Sequence, residues 1–240
     1  MIKIFEIGHF ASSIVWWLNY IIAVGRDYVI SESALKIPAA EYLEKSEIKD
    51  IELEYPHPSF LLKKCDLYFY NPHSTTETVF ELKYVKKDST RAPSEQQRIF
   101  DDLMRLYFFL DKNKTGYFLI CGNQKDFNIS FRRLSLKPSY LIPKTKTRSS
   151  SIISPDFYSE WFSFDFNNPD KIIDLNTSDT KYKSIYDNFL NNYSDPYYNK
   201  LKIKLTLPNH LTTKLVFLSQ EMSSTKIPQT IQIGIWEVAI

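Results

Sequence analysis

The spacing of hydrophobic residues changes along the chain, and the changes mark its elements. From Phe10 to Val24 no residue is charged, and Gly25 follows. A glycine there can close a helix in the left-handed conformation, so this run predicts a core-packed helix. Ser31 suits an N-cap, and Leu35, Ala39 and Leu43 recur every four residues, which predicts a second helix from Glu32 to Lys45. Pro38 falls inside that pattern and predicts a kink or a later start. Three strands should follow: Asp50 to Tyr55, which alternates; Lys64 to Tyr70, rich in aromatics; and Thr78 to Val85, the clearest. Asn71 to Thr76 reads as the turn between the last two. Ser94 and Gln97 have capping-box spacing ahead of a helix whose apolar face is Ile99, Leu103, Leu106 and Leu110. Gly116 to Cys121 then reads as a buried strand. The order to this point is helix, three strands, helix, strand. Further strands are expected at Trp161 to Phe166, Leu201 to Leu207, Leu215 to Leu218 and Ile231 to Val238, with a short helix around Tyr182 to Asn191.

Composition narrows the function classes. The chain has 240 residues, of which 43% are hydrophobic and 24% charged, as in an ordinary globular protein and unlike a disordered one. With only five glycines it has no GxGxxG, GxxxxGK or GxSxG, so a glycine-rich phosphate loop is excluded. Cys65 and Cys121 lie in apolar runs and read as reduced core thiols, and the four histidines are scattered, which argues against a zinc site. The uncharged N-terminal run is shorter than the roughly 20 residues a membrane span needs, and it contains Ser12, Ser13 and Asn19. No membrane association is expected, and a cytoplasmic location is. Net charge is +2, so any attraction to nucleic acid must be local. One segment offers it. From Phe127 to Pro155 there is no acidic residue, while Arg132, Arg133, Lys137, Lys144, Lys146 and Arg148 are basic. We read these as candidate phosphate contacts. The expected organisation is an N-terminal helix and core over 1–126, a basic loop over 127–155, and a β-rich extension over 156–240 packed on the core.

The candidate chemistry lies on two strands. Side chains alternate between the faces of a strand, so Val79, Glu81, Lys83 and Val85 share one face, and Phe80, Leu82 and Tyr84 the other. Two charged groups therefore point the same way from a strand otherwise fit for burial. If the second and third strands pair through the short turn, Asp66 lies beside Glu81. A partly buried carboxylate pair is costly without a counterion, and a divalent cation removes that cost. Oxygen ligands favour Mg²⁺, with Mn²⁺ as the alternative. Lys83 would hold or activate the attacking water and offset charge on the phosphorus.

Asp66, fourteen intervening residues and then Glu81-Leu82-Lys83 resemble the active-site signature of the PD-(D/E)XK nuclease superfamily, the restriction-endonuclease-like fold. The order of elements from Ser31 to Gly122 resembles that family's core. The resemblance implies an α/β fold whose core is a mixed sheet, to which the C-terminal β-rich extension is added, and metal-dependent endonuclease activity on DNA ahead of RNA. It also implies a Glu from the helix before the strands, for which Glu32 stands in place and Glu41 is the alternative. Cys65 stands where the motif has proline. Gln97 occupies a helix position where some branches carry a glutamine, without the tyrosine that follows it there. A freestanding nuclease of this size suits restriction or phage defence, as a homodimer or with a partner subunit. The alternative is a nuclease-like scaffold that binds DNA without cutting it, or a subunit of a larger defence or repair complex. His57, between two prolines, reads as structural, and Asp102 and Arg105 as a salt-bridged helix surface.

Overall fold

A computed structural model describes residues 5–85, 93–124, 126–127, 161–195, 199–200, 205–219 and 231–239. The chain begins with α1 (Ile7–Ala23), passes a 3₁₀ turn at Asp27–Val29 and another at Ser33–Leu35, and enters α2 (Lys36–Lys45). Strands β1 (Lys49–Pro56), β2 (Lys64–Asn71) and β3 (Thr76–Val85) follow, then α3 (Pro93–Phe109) and β4 (Lys114–Asn123). Beyond the basic segment come β5 (Asp170–Asp174), α4 (Thr180–Tyr193), β6 (His210–Leu218) and β7 (Ile231–Ala239). The result is α/β, with a seven-stranded mixed sheet in the order β1-β2-β3-β4-β7-β6-β5.

β1, β2 and β3 form an antiparallel meander, and β4 lies parallel to β3. A parallel pair needs a crossover, and α3 supplies it. β3 and β4 are buried on both faces, which accounts for their near-continuous apolar runs. On one face Val79, Val85 and Phe118 pack with Ile99, Leu103 and Leu106 of α3 and Phe189 of α4. On the other, Phe80, Leu82 and Leu119 pack with Phe10, Ile14 and Leu18 of α1 and Ala39 and Leu43 of α2. The expected split of β3 into two faces is therefore the split between the two cores.

The second helix starts later than expected. Ser31 does cap, but it caps the 3₁₀ turn, its Oγ accepting from the Ala34 N–H at 3.2 Å. Pro38 then falls in the first turn of α2, where no intrahelical N–H is required. α3 starts at Pro93, so Ser94 lies inside the first turn instead of capping it. Gly25 has φ +70°, and the N–H groups of Gly25 and Arg26 return to the carbonyls of Ile22 and Ile21, closing α1 as expected.

The C-terminal strands do not pack on the core as a separate layer. β7 pairs antiparallel with β4 and carries β6 and β5 outward in the same sheet. Trp161 to Phe166 is irregular and is not a strand. Its first aromatics suggested a strand because they are buried: Trp161 packs on Phe100, and Phe162 sits between Phe118 and Trp236, while Phe166 is exposed. Its carbonyls bond to side chains, Ser163 O to Trp236 Nε1 and Trp161 O to Thr213 Oγ1, in place of a ladder. β5 was not expected from the pattern. Of the strand expected at Leu201 to Leu207, residues 201–204 lie outside the described residues and 205–207 form no strand.

His57 ties the β1–β2 connection to α3. Its Nε2 donates to Arg105 O at 2.9 Å, and its Nδ1 accepts from the N–H groups of Ser59 and Phe60. Both nitrogens serve the neutral ring, and burial lowers the pKa from 6.5 to about 4. The contribution to stability is complete above the unfolded value and is lost as pH falls from there toward the folded one. It amounts to about 3 kcal/mol. Urea midpoints measured across that interval should fall for the wild type and fall less for His57→Gln. Equal slopes would contradict the assignment.

Candidate active site

The strand register builds the site. Leu53 faces Leu67 and Tyr55 faces Cys65, so Glu54 stands opposite Asp66. Leu67 faces Phe80, and one step further Asp66 stands opposite Glu81. Three carboxylates thus form a row across β1, β2 and β3. Asp66 is fixed by two contacts: its Oδ2 accepts from the Leu82 N–H at 2.8 Å, and its Oδ1 lies 2.8 Å from Lys36 Nζ. Lys36, the first residue of α2, also pairs with Glu54.

Glu81 is only 3% exposed. Its partner is Arg105, which reaches from α3 to Glu81 Oε1 at 3.2 Å and to Asp102 Oδ1 at 2.6 Å. The other terminal nitrogen of Arg105 donates to Tyr193 of α4 at 3.3 Å. Arg105 Nε is buried and has no hydrogen-bond partner among the described residues. Burial drives the Glu81 pKa well above the usual carboxylate range, and Asp102 and Asp66 add to the effect against the opposing pull of Arg105. Burial likewise raises Asp102, against Arg105 and Lys83.

Lys83 leaves the same face of β3 two residues on, with 9% of its side chain exposed. Its Nζ lies 3.1 Å from Glu32 Oε2 and 2.9 Å from Glu95 Oε1. Burial opposes its charge, but Asp102, Glu32 and Glu95 outweigh burial and hold the pKa above the ordinary lysine value. Lys83 is therefore an ammonium at neutral pH. Glu32 is itself raised, chiefly by burial and against Lys83. These groups border an open cleft of about 570 Å³ lined by Ser31, Glu32, Lys83, Glu95, Arg98 and Asp102, among others.

Asp66, Glu81, Lys83 and Glu32 are thus brought together. Glu41 is exposed on α2 and does not line the cleft. Gln97 points elsewhere: its amide nitrogen bonds to Asp101 and to Ile185 O, and its oxygen accepts from Asn188, which ties α3 to α4. Arg132, Arg133, Lys137, Lys144, Lys146 and Arg148 lie outside the described residues. Sequence reasoning missed Lys36, Glu54 and Glu95, and it placed Asp102 and Arg105 on a helix surface. Each keeps only 14% of its side chain exposed: Arg105 meets Tyr193 of α4, and Asp102 turns toward the cleft.

Six carboxylates (Glu32, Glu54, Asp66, Glu81, Glu95 and Asp102) meet four cations (Lys36, Lys83, Arg98 and Arg105), a formal excess of two negative charges. As arranged, no three His, Cys, Asp or Glu side chains among the described residues form a group that encloses an ion. No helix of the described residues is long and apolar enough to cross a membrane.

Arg105→Met would leave two buried carboxyls without their cation, at a cost of about 3–5 kcal/mol. Their raised pKa values mean that this cost should shrink on acidification as both take protons, so urea unfolding at about pH 8 should show a larger penalty than at about pH 5. A penalty independent of pH would contradict the pairing. In comparisons with known proteins, no family model, no curated protein and no solved structure matches this chain.

Proposed function

We propose that this chain is a metal-dependent endonuclease that hydrolyses phosphodiester bonds, in DNA ahead of RNA, on a restriction-endonuclease-like core. The observation that carries the reading is that Asp66 and Glu81 stand adjacent across β2 and β3, on the strand whose Lys83 meets Glu32 at an open cleft. Asp66 and Glu81 would hold Mg²⁺ (or Mn²⁺), with Glu32 completing the set. When bound, such an ion supplies Lewis acidity toward the phosphate and lowers the pKa of a coordinated water.

The protein's own contribution is electrostatic. Lys83 already carries its proton, so it acts as a hydrogen-bond donor to the attacking water and to charge growing on the phosphate, and not as a base. Glu32 and Glu95 hold its ammonium between them and set its direction. Arg98, 70% exposed at the cleft edge, is placed to meet a flanking phosphate. The basic segment carrying Arg132, Arg133, Lys137, Lys144, Lys146 and Arg148 would add phosphate contacts outside the cleft. A cytoplasmic role in restriction or phage defence, with a second copy or a partner subunit for double-strand cutting, is inferred by fold analogy.

One observation favours a rival. Asp66, Glu81 and Glu32 are each paired with a cation of the protein, as they would be in a scaffold that binds DNA without cutting it or serves as a subunit of a larger complex. A plasmid-nicking assay with Mg²⁺, with and without chelator, separates the two. The wild type should nick only with the metal. Asp66→Asn, Glu81→Gln and Lys83→Ala should each lose about 100-fold or more in rate while keeping the native circular dichroism. Nicking unchanged in Glu81→Gln and Lys83→Ala removes this site. DNA binding without nicking by the wild type establishes the rival.

A further inference from the structure

Lys36 lies against Asp66, one of the carboxylates proposed above to hold the ion. It is the first residue of α2, and 9% of its side chain is exposed. Its helix is anchored to the sheet by Leu35, Ala39 and Leu43, all fully buried. The ammonium therefore cannot withdraw into solvent by moving the backbone. It sits 2.8 Å from Asp66 Oδ1 and also on Glu54, the carboxylate directly across the ladder from Asp66. Glu54 has φ +57°, a left-handed backbone that disfavours a glutamate, in an edge strand that is otherwise mostly exposed. Its side chain is half exposed, so it can keep an ion pair at little desolvation cost. The same ammonium thus has two carboxylates within reach, one belonging to the proposed metal set and one outside it.

We propose that Lys36 is a built-in competitor of the divalent cation: it pairs with both Asp66 and Glu54 in the metal-free protein and keeps Glu54 alone when the ion binds. The inference rests on the metal-binding reading above. In the metal-free state Lys36 holds Asp66 and Glu54 together. In the loaded state Glu54 keeps the displaced ammonium paired, so the exchange leaves no buried charge alone. Lys36 is a positioning residue in this scheme, and it sets the metal concentration at which the site fills.

Titration calorimetry with Mn²⁺ on the full chain, without DNA, tests it. Lys36→Met should bind Mn²⁺ about tenfold more tightly than the wild type, because the competitor is gone. Lys36→Arg should bind like the wild type. Glu54→Gln should bind several-fold more weakly, and that weakening should vanish in the Lys36→Met background, since Glu54 acts only by receiving Lys36. Lys36→Gln serves for Lys36→Met should the latter not fold. Wild-type binding that Lys36→Met leaves unchanged or weakens overturns the competition and leaves the metal site standing. So does a Glu54→Gln effect that persists undiminished without Lys36. Absence of Mn²⁺ binding in both the wild type and Lys36→Met overturns the metal site and this inference together.

Discussion

Three carboxylates stand side by side across β1, β2 and β3, and the rest of the molecule is arranged around the need to neutralise them. Glu81 is almost wholly buried, and removing the partner of a buried charge costs several kcal/mol. Each surrounding element brings a group to the row. α2 brings Lys36, α3 brings Arg105, and α4 braces Arg105 through Tyr193. The docking of α2 and α3 is thus set twice, once by apolar packing on the two faces of the sheet and once by charge pairing at its end.

This arrangement is poor economy for a purely structural protein. Replacing buried ion pairs with apolar residues is often neutral or stabilising, so a dense cluster of six acids and four bases points to use. The chemistry it offers is electrostatic. Lys83 remains charged because Asp102, Glu32 and Glu95 surround it, while Glu81 and Asp102 are pushed toward their protonated forms by burial. The site opens to solvent on the side of Glu32 and Lys83.

Most of the core was legible in the sequence because its signals are local. Period-two alternation located β1, β2 and β3, and it put Glu81 and Lys83 on one face and Phe80 and Leu82 on the other. The short turn after Asn71 set the pairing that brings Asp66 to Glu81. What was not legible depends on contacts distant in sequence. Glu54 looked like an exposed residue of an edge strand until the register placed it across from Asp66. Lys36 was hidden by a helix start displaced to follow the 3₁₀ turn. Asp102 and Arg105 sit on the polar side of α3, and periodicity cannot say that Arg105 there meets Tyr193 of α4 and Glu81 of β3. The aromatic run after Trp161 carries the composition of a strand, but it is buried without a ladder.

The most direct measurement is anomalous diffraction from a crystal of the full chain soaked in Mn²⁺. A single strong peak coordinated by the carboxylates of Asp66 and Glu81 is the predicted result. Density showing both carboxylates still held by Lys36 and Arg105, with manganese bound elsewhere or nowhere, would contradict it.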